Sequence, residues 1–197
     1  MSVPQQLRDD PRWARLVDLV RELAFLDGGN DEAFTLASGR TSRWFFDMKP
    51  VMMHPEAGRL VGQLMNVRCD EIGADFVGGL ELGAVPLAAL VVATDFTSER
   101  LGFMVRKQAK GRGGRKTNNP PGIEGASISE GGRVIILEDV TTTGGSAIQA
   151  VKRIEEETSC EVVAVISILD RQEGGKEAFG NAGIAFESLL VRSDISG

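Results

Sequence analysis

Glu138 and Asp139 end an aliphatic run, VIIL, and lead through Val140 into Thr141, Thr142, Thr143, Gly144, Gly145 and Ser146. A plain core strand has no use for two adjacent carboxylates, and a Thr- and Gly-rich turn gives up side-chain packing for backbone access. With a helix starting near Ala147, successive N–H groups and the helix dipole converge on one point, a cradle for a phosphate. Gly144 and Gly145 let the backbone come close, and the hydroxyls donate to phosphate oxygens. The lysine of a nucleotide-binding Gly-Lys-Ser/Thr loop is missing. Two acids upstream instead accept hydrogen bonds from vicinal hydroxyls, so the ligand expected is a sugar phosphate.

Three further groups of residues suit such a ligand. RKQAKGRGGRK, residues 106–116, holds six Lys or Arg and no acid in a chain of net charge −6. A basic cluster that small fits an anionic small molecule, and the acidic balance argues against a nucleic acid partner. Phe45 and Phe46 offer an apolar face to a flat ring, although alternate strand residues face opposite ways and one of the two belongs to the core. Arg171 has a planar fork for an oxygen of such a ring, with a surface salt bridge to Asp170 or Glu173 as the plainer alternative.

The elements that position these residues alternate. A helix starts at Pro11 behind Asp9 and Asp10 and runs to the Gly28-Gly29 stop. Residues 34–50 fit a hairpin or an extended segment. Then come a helix from Pro55 to Glu71, a strand over 75–79, a helix over 84–93, a strand over 101–105 and a loop to about 130. A strand over 133–138, a helix over 145–157 and a strand over 161–169 follow. Near-continuous apolar strands such as VVAVISIL mark parallel strands covered on both faces, so the class is α/β with a central, mainly parallel sheet. Ligands of such sheets sit beyond the carboxyl ends of strands, where Glu138-Asp139 and Asp170-Arg171 fall.

At 197 residues the chain fits a single domain, residues 1–197. No apolar run is long enough to span a membrane, and the start of the chain lacks a signal pattern, so a cytoplasmic protein is expected. Cys69 and Cys160 lack metal-ligand spacing and read as small residues of a reducing compartment. His54, the single histidine, suits a helix start or the surface.

LEDVTTTGGS resembles the phosphoribosyl pyrophosphate motif of type I phosphoribosyltransferases. VRKQAKGRGG, residues 105–114, is similar to the catalytic loop of the orotate phosphoribosyltransferases in that family. FTLASGRTSRWFFD is similar to their N-terminal orotate segment, GGLELGAVPLA to their pyrophosphate-contacting turn, and SILDRQEGG to their Asp-Arg-Gln-Glu signature. The resemblance implies the type I phosphoribosyltransferase fold with a small N-terminal hood, about residues 1–50, and a flexible catalytic loop, about residues 106–125. It implies transfer of a phosphoribosyl group from phosphoribosyl pyrophosphate to orotate. In that reading Glu138 and Asp139 hold the ribose hydroxyls and Thr141–Ser146 wraps the 5-phosphate. Phe45, Phe46 and Arg171 bind orotate, while Arg106, Lys107, Lys110 and Arg112 meet the pyrophosphate. Asp139, Arg106 and Lys110 are the residues expected in catalysis. Mg2+ is the implied cofactor, held mainly through ligand and water and not by a protein metal site. A homodimer with loop residues shared across the interface is implied as well.

Three positions depart from the family pattern. Arg112 stands where a His is common, Ala37 where many members have Lys, and Gly83 where some have another. Two other readings follow: a phosphoribosyltransferase for a different base, or a weakly catalytic regulator that senses phosphoribosyl pyrophosphate.

Overall fold

The computed structural model describes residues 2–29, 34–35, 41–97, 99–108 and 117–196. A short helix α1 (Gln5–Asp9) precedes α2 (Pro11–Ala24), which starts where Asp10 accepts a hydrogen bond from the Arg12 N–H and Pro11 presets the first helical φ. Leu16, Val17, Leu19, Val20 and Ala24 form its buried stripe. The helix stops earlier than its periodicity predicts, because Phe25–Asp27 forms strand β1. Its partner is β4 (Trp44–Phe46), which pairs antiparallel with it. Strands β2 (Phe34–Thr35) and β3 (Thr41–Ser42) make a second small pair. The N-terminal segment thus folds into two ribbons, where a single hairpin was one expectation.

After α3 (Lys49–Met53), helix α4 (Pro55–Ile72) begins at His54, whose Nδ1 accepts from the Ala57 N–H, the helix-start role expected of it. Then follow β5 (Phe76–Leu80), α5 (Ala84–Ala93), β6 (Leu101–Val105), β7 (Ile123–Gly125), β8 (Gly132–Thr141) and α6 (Gly145–Glu157). The chain closes with β9 (Cys160–Asp170), α7 (Gly175–Asn181), β10 (Phe186–Val191) and α8 (Arg192–Ser196). The main sheet has the order β10-β9-β8-β5-β6-β7, parallel except for the β6–β7 pair. Strand β7 replaces part of the loop expected up to residue 130. Three residues are too few to show a period, and only pairing with Phe103–Val105 makes them a strand.

The sheet is covered on both faces. Ile135 and Leu137 join the core under α2, α4 and α5, whereas Val134 and Ile136 join the one under α6 and α7. Period-2 alternation explains why every residue of that run is apolar, and it sends Glu138 and Asp139 to opposite faces. Strand order reverses between β5 and β8: the chain steps from β5 outward to β6 on one side, and β8 lies on the other. Such a switch point opens a crevice beyond the carboxyl ends of the two strands. Both cysteines are buried and unbridged, and among the described residues no helix is long and apolar enough to cross a membrane.

Candidate active site

Two cavities open at that switch point and share one residue, Asp139. The first, about 160 Å³, is lined by Glu81, Leu82, Gly83, Lys107, Glu138, Asp139 and Ser146 among others. The second, about 280 Å³, is lined by Phe45–Lys49 on one side and by Asp139, Val140, Thr142, Thr143 and Arg171 on the other. One cavity therefore combines acids with a lysine and a helix start, and the other combines an aromatic wall with two cations.

The turn is shorter than its sequence reading at both ends. Thr141 belongs to β8, fully buried opposite Asp170, and its carbonyl accepts from the Arg171 N–H at 2.9 Å. That pairing carries the strand four residues past its aliphatic run, so the turn consists of Thr142 to Gly144. Gly144, at φ +77°, caps α6. A Cβ there would lie 2.9 Å from the Phe179 ring, so glycine is required both for the left-handed backbone and for the fit. Gly145 and Ser146, the first residues of α6, are exposed with their N–H groups at the dipole's positive end.

Glu138 is turned inward. Its Oε2 is buried without a hydrogen-bond partner, as is Thr141 Oγ1. Burial, with the Asp139 charge adding to it, pushes the Glu138 carboxyl up to about 8. Between the ordinary glutamate value and about 8 the unfolded chain is ionised while the folded one keeps its proton. Glu138's contribution to stability is therefore greatest below the ordinary value and lost as pH rises to about 8. We expect the melting temperature of Glu138→Gln relative to the unsubstituted protein to climb from pH 5 to pH 8 and level off above. A pH-independent difference would show that Glu138 ionises normally.

Arg171 is buried, with 4% of its surface exposed. Its Nη2 donates to Ser42 Oγ at 3.0 Å and to the Trp44 carbonyl at 3.1 Å, and pairs with Glu173 at 2.8 Å. Nε has no partner, a buried donor left for a ligand. Asp170 points the other way, accepting from Ser2 Oγ and the Gln172 N–H. Of the two phenylalanines, Phe46 is the core residue, 6% exposed and packed on Phe25, whereas Phe45 is 36% exposed. Both still line the second cavity.

Arg106 follows β6 and faces Glu124 at 3.6 Å and Glu81 at 3.9 Å. Glu81 Oε1 also accepts from the Lys107 N–H at 2.9 Å, so the β5 turn holds the start of the basic loop. Lys110, Arg112 and Ala37 lie outside the described residues. Gly83 presses on the acids: a Cβ there would stand 2.4–2.5 Å from the Asp139 carboxylate. A lysine at this place displaces Asp139 before it reaches any ligand. Gly83→Lys is therefore expected to lose activity by up to about a hundredfold, on the scale of an ångström-sized misplacement; a gain would show that the missing cation, not the contact, is limiting.

Two lining residues escape a reading of the sequence. Glu81 sits in the quoted β5 turn, but only the fold brings it to Lys107. Lys49 lines the second cavity and is bonded to Asp47 at 3.0 Å. That bond holds its pKa above the ordinary lysine value, against desolvation, with Asp139 adding a smaller share. A lone lysine before a proline carries no signal that would have found it.

A Thr/Gly turn at a helix start beside paired acids, at the switch point of a mainly parallel sheet, is the pattern of a phosphoribosyltransferase. The family model of the phosphoribosyl transferase domain matches residues 52–182. The orotate phosphoribosyltransferase of Rhodopseudomonas palustris is 42% identical over 186 residues, covering 92% of this chain and 94% of the relative. That of Corynebacterium glutamicum is 36% identical over 182 residues, covering 92% of each. The crystal structure of Mycobacterium tuberculosis orotate phosphoribosyltransferase in complex with 5-phospho-alpha-D-ribosyl 1-diphosphate superposes with a TM-score of 0.75 at 32% identity, over 93% of this chain and 98% of that one. The chain belongs to the orotate phosphoribosyltransferase family.

Proposed function

We propose that the protein transfers the 5-phosphoribosyl group of phosphoribosyl pyrophosphate to orotate, giving orotidine 5-phosphate and pyrophosphate in pyrimidine biosynthesis. The observation that carries this reading is the meeting of two unlike cavities at Asp139. The 5-phosphate sits at the start of α6, the ribose hydroxyls donate to Glu138 and Asp139, and the pyrophosphate extends along the Glu81–Gly83 turn toward Arg106 and Lys107. Orotate lies on Phe45, with Arg171 Nε donating to a ring oxygen. The orotate nitrogen attacks ribose C1 as the bond to pyrophosphate breaks, and charge develops at both ends of that bond. Asp139 steadies the oxocarbenium character on the ribose, and Arg106, Lys107 and Lys110 neutralise the departing pyrophosphate. Excluding water protects the cationic sugar.

Among the described residues no three His, Cys, Asp or Glu side chains converge to hold a metal, so Mg2+ would take its oxygens mainly from the pyrophosphate and water beside Asp139. Bound there, the ion would offset phosphate charge. A homodimer agrees with the exposure of Leu82, Phe96 and Leu101 around α5 and β6, and a cytoplasmic location agrees with the free cysteines.

Loss of orotate absorbance with phosphoribosyl pyrophosphate and Mg2+ tests this reading, with adenine, uracil and xanthine as rivals. Turnover with orotate alone is expected. Binding of phosphoribosyl pyrophosphate without turnover would make the protein a sensor.

A further inference from the structure

Arg153, in the third turn of α6, reaches across to the basic loop and holds both of its stems. Nη1 donates to the Arg106 carbonyl at 2.8 Å, and Nη2 to the Pro121 carbonyl at 2.6 Å. Glu157, one turn further along the helix, fixes the fork by accepting from Nε at 3.0 Å. The stems also close on each other, because the Arg106 N–H donates to the Gly122 carbonyl at 2.8 Å. Gly122, at φ +93°, admits the guanidinium: a Cβ there would stand 2.6 Å from Nη2.

We propose that Arg153 is a positioning residue for phosphoribosyl transfer. It ties the helix whose first turn cradles the 5-phosphate to the two points where the catalytic loop leaves and rejoins the sheet. The proposal rests on the phosphoribosyl-transfer reading above. A guanidinium suits this task because its planar fork serves two carbonyls at once, where an ammonium is a single point charge. Eight residues separate Arg153 from Gly145, about 12 Å along a rigid helix. The phosphate seat and the loop stems therefore share one frame. With the backbone of Arg106 held at N–H and carbonyl alike, its guanidinium and the neighbouring Lys107 start each turnover beside the acids of the first cavity. Without the brace, the loop's ends are free to wander, and cations must be brought into register when the leaving group departs. That cost falls on the transition state more than on bound orotate, which touches neither stem.

The test compares Arg153→Ala, Arg153→Lys and a control, Lys152→Ala, in steady-state kinetics and amide hydrogen exchange of the full chain. For Arg153→Ala we expect kcat to fall about tenfold, KM for orotate to stay within about twofold, and exchange at the Arg106 and Ile123 amides to quicken. Arg153→Lys should recover part of kcat, and Lys152→Ala should match the parent. Unchanged kcat in a folded Arg153→Ala variant, or no recovery with lysine, overturns the proposal. Should Arg153→Ala not fold, Glu157→Gln, which only loosens the fork, should show a smaller kcat loss with KM preserved; unchanged kcat there counts against it equally. If the parent protein does not turn over orotate, the reading of function fails instead. Exchange at Arg106 then still decides whether the brace holds, since slow exchange in Arg153→Ala would refute it.

Discussion

Asp139→Asn should lower kcat/KM with phosphoribosyl pyrophosphate and orotate about a hundredfold or more, the scale of losing one preorganised electrostatic group. Among the described residues Asp139 alone lines both cavities, so in the proposed reaction its carboxylate would lie beside the ribose whichever bond is changing. Its Oδ1 accepts from the Val140 N–H at 3.0 Å and the Gly83 backbone packs against the carboxyl, which fixes the group before any ligand arrives. Asparagine keeps the shape and one carbonyl acceptor but removes the charge that opposes oxocarbenium development. Most of the loss should fall on kcat, with the melting temperature little changed. A loss under about fivefold would reduce Asp139 to a ribose-hydroxyl acceptor worth a single neutral hydrogen bond.

Arg171→Ala should cost as much or more in kcat/KM for orotate, about 10²- to 10³-fold, because one side chain does two jobs. Nε is buried and unpaired and in the proposed reaction would donate to the base, while Nη2 pins β3 and β4 through Ser42 and Trp44. Losing the guanidinium removes the ligand contact and frees the aromatic wall carried by β4. It also takes from Glu173 a partner at 2.8 Å, so a stability loss of about 2 kcal/mol should accompany the kinetic effect. Arg171→Lys should rescue little, since one ammonium cannot reach two hydroxyl and carbonyl acceptors, a carboxylate and a ligand together. Titrating phosphoribosyl pyrophosphate separates the causes: its affinity should survive in Arg171→Ala while orotate affinity collapses. Equal weakening of both ligands would show that the substitution unfolds the site as a whole.

Much of the site was legible because it is local in the chain. Strand, paired acids, Thr/Gly turn and helix follow one another within β8 and α6, and the helix over 145–157 appears with the bounds its periodicity predicts. Alternating apolar strands and helices determined the α/β class, since a strand buried on both faces must be apolar throughout. The exceptions occur where pairing extends an element beyond its own pattern: β8 runs on through Thr141, α2 yields to β1, and three residues of the basic loop's far end become β7.

What the sequence by itself determined, then, is the class of fold, the succession of strand, paired acids, Thr/Gly turn and helix, and the family resemblance, all of which rest on neighbours in the chain. Only the tertiary structure decided that Phe46 serves the core while Phe45 stands open, and that Gly83 leaves room for Asp139. It also placed Glu81 and Arg153 at the stems of the basic loop. Those facts depend on which distant segments share a strand edge or a helix face. Close packing makes such contacts specific to within a methyl group, and no local period records them.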